Sequence, residues 1–126
     1  MIQDFTLHTH TVGCDGKNTP AEMVAHAAEI GMRAIGISNH FIVHPRIKES
    51  NFYSHAVSAG YNQIYSSSFD EIMARFVPIY DELAQVAECS KIRVLRGLEV
   101  DYFPDAVWRR NFECAICVLK RVRQGQ

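Results

Sequence analysis

Two histidines near the start of the chain and an acidic loop after them hold the side chains best suited to chemistry. His8 and His10 are two residues apart, so on an extended strand their imidazoles leave the same face and can reach one ion together. Asp15 follows in a Gly-bounded loop, and His40 ends a second apolar run. Divalent metals are held by this mixture of imidazole nitrogen and carboxylate oxygen. The stretch therefore predicts the opening half of a metal site.

Length and composition restrict the class of protein. A chain of 126 residues, 48% of them hydrophobic, is long enough for one cored domain and too short for two. The formal net charge of −1 offers no basic field for a nucleic acid or an anionic membrane. No apolar run approaches the ~20 residues that cross a bilayer, and the first residues do not resemble a secretory signal. We therefore expect a cytoplasmic protein with its four cysteines reduced.

Strand-like and helix-like segments alternate along the chain, which predicts an α/β fold. A first strand is predicted at 5–10. The next helix has Thr19 as its N-cap, Pro20 at its first position and Glu22 to complete a capping box. Residues 33–38 are short, largely apolar and bounded by turn residues, so they predict a second, buried parallel strand. The three elements form a β-α-β unit, which is nearly always right-handed.

The pattern weakens in the middle of the chain and then recovers. Residues 41–67 show no sustained period, which indicates a lid or binding loop, or elements that the pattern does not reveal. A second capping box at 68–71 begins a long amphipathic helix, in which Pro78 is expected to kink the helix or divide it. Residues 92–100 predict a third strand with Glu99 near its C-terminal end.

The candidate ligands thus fall where predicted strands end. In parallel α/β folds the active site forms at the carboxyl ends of the strands, so we expect these side chains to converge. Other roles are open to each: His8 and His10 as a structural pair, Asp15 as a turn residue, His40 bonded to backbone, and Glu99 beside an arginine.

Several segments together resemble the PHP (polymerase and histidinol phosphatase) domain, most closely its histidinol-phosphatase branch. They read LHTHT, CDG, GISNH and GLEVDYFP, and the resemblance covers residues 5–104. It implies a distorted (β/α)7 barrel, of which this chain would form a part with parallel strands and flanking helices. It also implies up to three divalent metal ions, Zn, Mn or Fe, in a complete domain that hydrolyses phosphoesters.

The same resemblance assigns roles to residues of this chain. It implies that His8 and His10 hold a first metal, that Glu99 bridges two metals, and that Asp15 and His40 serve a third. Asp15 and Glu99 are then the candidate catalytic carboxylates. Such ions lower the pKa of bound water and neutralise phosphoryl oxygens during in-line attack, so no protein nucleophile is needed.

Two residues near His40 bear on this site. The family motif reads Asp-His where this chain has Asn39 before His40, and we expect the Asn39 carbonyl to orient an imidazole without supplying charge. Arg46 follows in the long middle segment. It is either a clamp for substrate phosphate or a solvated surface residue.

The end of the chain departs from the family pattern. A full domain continues past the Glu99 strand with further ligands, but no histidine follows His55, so we expect a C-terminally truncated domain that holds fewer metals. We therefore divide the chain into residues 1–104, the N-terminal part of a metal-hydrolase domain, and a helical, non-family tail at 105–126. A missing strand would leave a sheet edge exposed, which predicts a homo-oligomer unless the helix at 107–122 covers that edge.

These observations predict a metal-dependent phosphoesterase of histidinol-phosphatase type. Its substrate would be a small phosphomonoester such as histidinol phosphate. The alternative is a weakly active or inactive remnant that keeps a metal pocket and self-associates. A nuclease or a polymerase-associated module is disfavoured by the charge.

Overall fold

Residues 3–121 are described by a computed structural model, in which strands and helices alternate around one parallel sheet. The elements are β1 (Phe5–Thr9), α1 (Pro20–Glu29), β2 (Ala34–Val43), α2 (Asn51–Ala59), β3 (Tyr65–Ser66), α3 (Phe69–Cys89), β4 (Arg93–Val100) and α4 (Ala106–Arg121). This architecture confirms the predicted α/β class with parallel strands and flanking helices, and it is consistent with part of a PHP-type barrel.

The central strand of the sheet is β2, which pairs in parallel with β1, β3 and β4. The hydrophobic core lies on one face of β2, where Ile35, Ile37 and Phe41 pack against side chains of α1, α3 and α4. On the pairing with β4, His40 lies directly beside Glu99. The sheet register therefore brings two candidate ligands together that are far apart in sequence.

The prediction that His40 ends a strand is wrong. The strand predicted at 33–38 runs on to Val43, so His40 lies inside it. Polar Asn39 made the sequence look like a strand end, but its side chain is fully buried and hydrogen-bonded to Thr11. A buried polar group with partners does not interrupt a strand.

The middle segment, 41–67, contains regular elements, which confirms the second of its two interpretations. It includes the end of β2, the helix α2 and the short strand β3. The Oγ of Ser50 caps the start of α2 by accepting a hydrogen bond from the N–H of Tyr53, and Gly60 ends it at φ 84°. Glycine suits that left-handed position because it has no Cβ.

The caps predicted for α1 and α3 are present in part. Thr19 Oγ1 accepts the N–H of Glu22, and Ser68 Oγ accepts the N–H of Glu71. The two glutamates do not return the bond to the cap residue: Glu22 accepts from Asn18, and Glu71 accepts from the residue before its cap. Each helix start is therefore fixed by its own cap and by a neighbouring side chain or backbone N–H.

Pro78 does not divide the long helix, since α3 is continuous from Phe69 to Cys89. A proline here removes the N–H that would bond the carbonyl of Ala74. Both Ala74 and Pro78 are exposed, so water can satisfy that carbonyl. The expected division of the helix is therefore wrong, while a kink at Pro78 stays a prediction.

A bulge in β1 brings its backbone close to β2. Thr6 pairs with Ile35 but Thr9 pairs with Ile37, so β1 contains one extra residue. At the bulge, a Cβ on Gly36 would lie 2.8 Å from the carbonyl oxygen of Leu7. Only glycine at position 36 therefore allows the β1 segment that carries His8 to pack this closely against β2.

The predicted tail helix is present as α4. Trp108, Ala115 and Leu119 are buried in the main core, and Phe112 packs against it. Val122, which was expected to join this face, lies outside the described residues. The proposed domain boundary after residue 104 stays a prediction. None of the helices within residues 3–121 combines the length and the apolar character needed to span a membrane.

Candidate metal centre

Five predicted side chains meet near the carboxyl ends of three parallel strands. His8 lies in β1 and His10 directly after it, while His40 comes from β2 and Glu99 from the end of β4. Asp15 reaches the same place from the loop between β1 and α1. Strand ends and connecting loops can carry polar groups there without disturbing the core.

The first group of ligand atoms is a close triangle. Nε2 of His8 and Nε2 of His10 are 3.2 Å apart, and each lies 2.9 Å from Oε2 of Glu99. Two ligand atoms that each lie ~2.0–2.1 Å from a tetrahedral ion are about 3.3 Å from one another. The separations in this triangle are therefore close to those of atoms that share one ion.

The second group is joined to the first through His10. Its Nδ1 lies 2.6 Å from Oδ1 of Asp15, whose Oδ2 is 3.3 Å from Nε2 of His40. The Nδ1 of His40 is buried and has no hydrogen-bond partner among the described residues, and it lies 3.5 Å from Oε2 of Glu99. Cys14 also has its sulfur within ligand distance of this group. An imidazole nitrogen that is buried and without a partner favours a cation at this position.

The donor set fits a divalent metal. Imidazole nitrogen and carboxylate oxygen suit zinc, iron and manganese, and the two carboxylates supply the negative charge that balances the cation. The hydrogen bond that Asp15 accepts from Nδ1 of His10 fixes the orientation of a ring whose other nitrogen belongs to the first group. The same five residues can therefore serve two neighbouring metal positions.

Buried contacts fix the loop that carries Asp15. The Oδ1 of Asn39 accepts the N–H of Thr11 at 2.9 Å, and its Nδ2 donates to Thr11 Oγ1 at 2.8 Å. A Cβ on Gly16 would lie 2.5 Å from the carbonyl oxygen of His10, so only glycine allows the loop to fold back so closely. Asn39 was expected to orient an imidazole, and that expectation is wrong. Successive residues of a strand point to opposite faces, so Asn39 cannot share the face of His40.

Both carboxylates of the site have lowered pKa values. Burial opposes the ionised form of Asp15 and is the largest single influence, but the hydrogen bond from His10 and the charges of His10 and His40 together lower its pKa below the ordinary value. The pKa of Glu99 is lowered in the same way. Burial raises it, but the hydrogen bond with His8 and the charges of the three imidazoles together outweigh that effect. Both side chains are therefore ionised at neutral pH, as ligands of a cation must be.

Cys14 is a member of the cluster that the sequence reasoning missed. Its side chain is buried, its sulfur accepts the backbone N–H of His40 at 3.2 Å, and its thiol lies 3.5 Å from Oδ1 of Asp15. Burial raises the pKa of this thiol to about 11. Its position next to Asp15 in the CDG segment was the available signal.

The site is open on one side, and Arg46 does not face it. An open depression of about 320 Å³ is lined by His8, His10, Asp15 and two neighbouring residues. Arg46, considered as a phosphate clamp, instead pairs through Nε with Glu49 at 2.9 Å and is mostly exposed. A molecule in this depression would therefore meet the two histidines and Asp15 and not this arginine.

Comparison with known proteins gives a family match. A family model described as the PHP domain matches residues 6–121, which is most of the chain. No curated protein and no solved structure matches the chain.

Proposed function

This chain belongs to the PHP domain family, a family of metal-dependent phosphoesterases, and on that premise we propose that it hydrolyses a small phosphomonoester at the cluster around His10. The observation that carries the proposal is the pair of ligand groups that share this histidine. Neither group alone would distinguish a catalytic centre from a structural metal site. Two adjacent metal positions are typical of phosphoryl-transfer sites.

The metal ligands proposed are His8, His10 and Glu99 for one position and Asp15 and His40 for the other. Divalent ions bound there would supply Lewis acidity and a water of lowered pKa. Glu99 lies between the two groups and contributes charge to both, since its Oε2 is within 3.5 Å of nitrogens of all three histidines. Asp15 holds the ring of His10 by the 2.6 Å contact at Nδ1. These two carboxylates are the residues that we propose as catalytic.

The openness of the site supports access by a small substrate. The depression beside His8 exposes ligand atoms to solvent, so a small phosphate ester can approach them without a conformational change. Histidinol phosphate is our specific proposal, with zinc, manganese or iron as the metal. It rests on the resemblance of the LHTHT and GLEVDYFP segments to the histidinol-phosphatase branch. The cytoplasmic location stays a prediction.

Phosphate release by the purified protein tests the proposal. Histidinol phosphate and a generic aryl phosphate would be supplied with manganese or zinc, and the metal content would be measured in parallel. We expect turnover that a chelator removes and that His8→Ala abolishes. His26→Ala is the matched control, because His26 is a largely exposed histidine of α1, lies 3.9 Å from Glu29 and belongs to neither ligand group. Turnover that survives both chelation and His8→Ala would contradict the proposal.

A second candidate function is a PHP domain that keeps its metal pocket, turns over little and self-associates. It is favoured by the outer edge of β4, which has no strand partner within residues 3–121. The N–H of Arg93 donates to Arg33 and that of Asp101 donates to Phe41, so the odd-numbered amides face β2. The even-numbered residues of β4 then point their N–H and C=O groups outward. Such an edge can pair with the same edge of a second copy.

Sedimentation at several protein concentrations separates the two candidates. The self-associating form predicts a dimer that Arg96→Pro dissociates, since proline at this exposed, outward position removes an edge donor and leaves the pairing with β2 intact. Metal content should not change in that variant. A wild-type monomer with full phosphatase turnover would leave the enzyme as the remaining candidate.

A further inference from the structure

A second cavity lies behind the loop that carries Asp15, between α3, β3 and the segment around α2. Its volume is about 480 Å³, and none of the five proposed metal ligands lines it. Its polar lining includes Lys48, Tyr53, Asn62, Ser66, Glu71 and Arg75. The lining is therefore rich in hydrogen-bond donors and differs in character from the metal centre.

Arg75 contributes a buried guanidinium with free donors. Its Nε and Nη2 are buried and have no hydrogen-bond partner in the described part of the chain. These two nitrogens form one side of the planar guanidinium, and this side can donate to two oxygens of one oxyanion at once. The guanidinium also lies over the ring of Phe76, 5.4 Å from its centroid. Burying a guanidinium whose N–H donors have no partner costs free energy, so the site favours a bound anion.

Ser66 adds a second free donor to the same cavity. The residue is 1% exposed, and its Oγ has no hydrogen-bond partner among residues 3–121. Ser66 lies in β3, and its backbone carbonyl accepts the N–H of His44. The strand therefore holds this hydroxyl in place. Arg75 of α3 and Ser66 of β3 thus both line the cavity, and each has donor atoms that water does not reach and that have no partner among the described residues.

The charges of the lining leave the cavity positive. Lys48 and Arg75 are cationic, and Glu71 is the one carboxylate in the lining. That carboxylate is already engaged, since it accepts from Lys48 at 3.1 Å and from the N–H and Oγ of Ser67 at 2.9 and 2.8 Å. It makes no hydrogen bond to Nε or Nη2 of Arg75, although its negative charge favours the protonated guanidinium.

We propose that this cavity binds a phosphate group, either free or as part of a small phosphorylated molecule. A turn of the two side chains toward the cavity would let the Nε–H and Nη2–H of Arg75 donate to two phosphate oxygens and the Ser66 hydroxyl donate to a third. A cavity of this volume also has room for the organic part of a small ester. The inference does not depend on metal or on catalysis, and it goes beyond the proposed function.

The position of the cavity links it to the metal-binding loop. Gln63, which also lines the cavity, donates from Nε2 to the carbonyl of Cys14 at 3.0 Å. The aliphatic part of Arg75 lies against Gly13, where a Cβ would be 3.8 Å from its Cγ. A phosphate held by Arg75 would thus stabilise the neighbours of the loop residue Asp15.

Thermal unfolding of the full chain with metal removed by a chelator tests the proposal, because phosphate cannot then bind through metal ions. Inorganic phosphate and glycerol phosphate would be titrated in separate arms against chloride at matched ionic strength. We expect each to raise the Tm in a saturable manner, since a ligand that binds the folded state stabilises it by mass action. No rise above that of chloride in either arm would overturn the proposal.

Arg75→Met is the decisive variant. It removes the charge but keeps the volume, so without phosphate it should be at least as stable as wild type, and it should gain nothing from phosphate. Arg46→Met is the matched control, because Arg46 is exposed and paired with Glu49, and it should respond as wild type does. An Arg75→Met protein that responds to phosphate like wild type would overturn the proposal.

Ser66→Ala provides a second test that keeps the arginine in place. Loss of one hydrogen bond to a charged group predicts phosphate binding about tenfold weaker or more, measured by calorimetry. Unchanged phosphate affinity in this variant would overturn the role of the hydroxyl. It would overturn the whole proposal if Arg75→Met does not fold.

Discussion

The inner and outer halves of the candidate metal centre differ in how their side chains are held. In the inner half the side chains of His10 and His40 are each 17% exposed, and Asp15 is 35% exposed. In the outer half His8 is 64% exposed and Glu99 37%. Both halves contain atoms at ligand distance, but the two histidines of the inner half are much less exposed than His8 of the outer half.

The difference shows two ways of positioning a ligand. The inner half depends on a loop fixed by buried hydrogen bonds between Asn39 and Thr11 and by the close approach of Gly16 to His10. The outer half depends on how the strands pair, with His8 placed by the bulge of β1 against Gly36 and Glu99 by the register of β4. The geometry of the inner half depends on more contacts with surrounding residues. We therefore expect mutations of those residues to disturb the inner half more than the outer half.

Removing His10 should have the largest effect, because it is the member common to both ligand groups. We expect His10→Ala to lower metal affinity by more than ~100-fold, beyond the ~10–100-fold typical of losing an outer partner of a ligand. His8→Ala should leave the inner half able to bind an ion. Calorimetric titration with zinc or manganese measures both, and equal losses in the two variants would remove the distinction between the halves.

Asn39→Ala tests the buried support of the inner half. The change leaves the N–H of Thr11 buried without a partner, so we expect the free energy of unfolding to fall by about 2–3 kcal/mol. Urea unfolding of metal-free protein gives this value. Asn51→Ala is the matched control at an exposed position and should change it by less than about 0.5 kcal/mol. Similar small changes in both variants would show that the Asn39–Thr11 bonds do not fix the loop.

Gly36→Ala tests the support of the outer half. The new Cβ would lie 2.8 Å from the carbonyl oxygen of Leu7, so β1 must shift, at a cost of about 1–3 kcal/mol. Gly97→Ala is the control on the neighbouring strand: its Cβ would meet the carbonyl oxygen of Ile37 at 3.7 Å, an ordinary contact, and the change should stay below about 1 kcal/mol. Urea unfolding compares the two. Equal stabilities would mean that β1 moves freely, and the outer half would then have no fixed geometry.

The smallest expected effect is the dependence of stability on pH. The folded-state pKa values of Asp15 and Glu99 are lower than their ordinary values, so the folded protein binds fewer protons than the unfolded chain. Their contribution is present above the unfolded pKa values and is lost as the pH falls through the folded ones. Asp15→Asn and Glu99→Gln should each flatten the acid decline in the stability of the metal-free protein. An acid decline unchanged in both variants would contradict the coupling to the imidazoles.

The places of His8, His10 and Glu99 on their own strands could be predicted from sequence, because the determinants of each place are local. The spacing of His8 and His10 on a strand, and the place of Glu99 near a strand end, follow from residue type and period alone. The caps at Thr19 and Ser68 were recognisable for the same reason. Each of these features depends on neighbours within a few residues.

The rest depends on contacts that sequence reasoning does not see. The extension of β2 through Asn39 depends on a hydrogen bond to Thr11, and the continuity of α3 through Pro78 depends on solvent at Ala74. The helix α2 was missed because Ala56 is its one buried residue, so it shows little apolar period. Only its ends, Ser50 and Gly60, carried a signal.

Anomalous X-ray diffraction from crystals soaked in manganese or zinc tests the central claim most directly. The claim predicts one peak bounded by His8, His10 and Glu99 and, at higher metal concentration, a second beside Asp15 and His40. Peaks confined to other surfaces of the protein, or none at saturating metal, would show that these side chains converge for a reason other than metal binding.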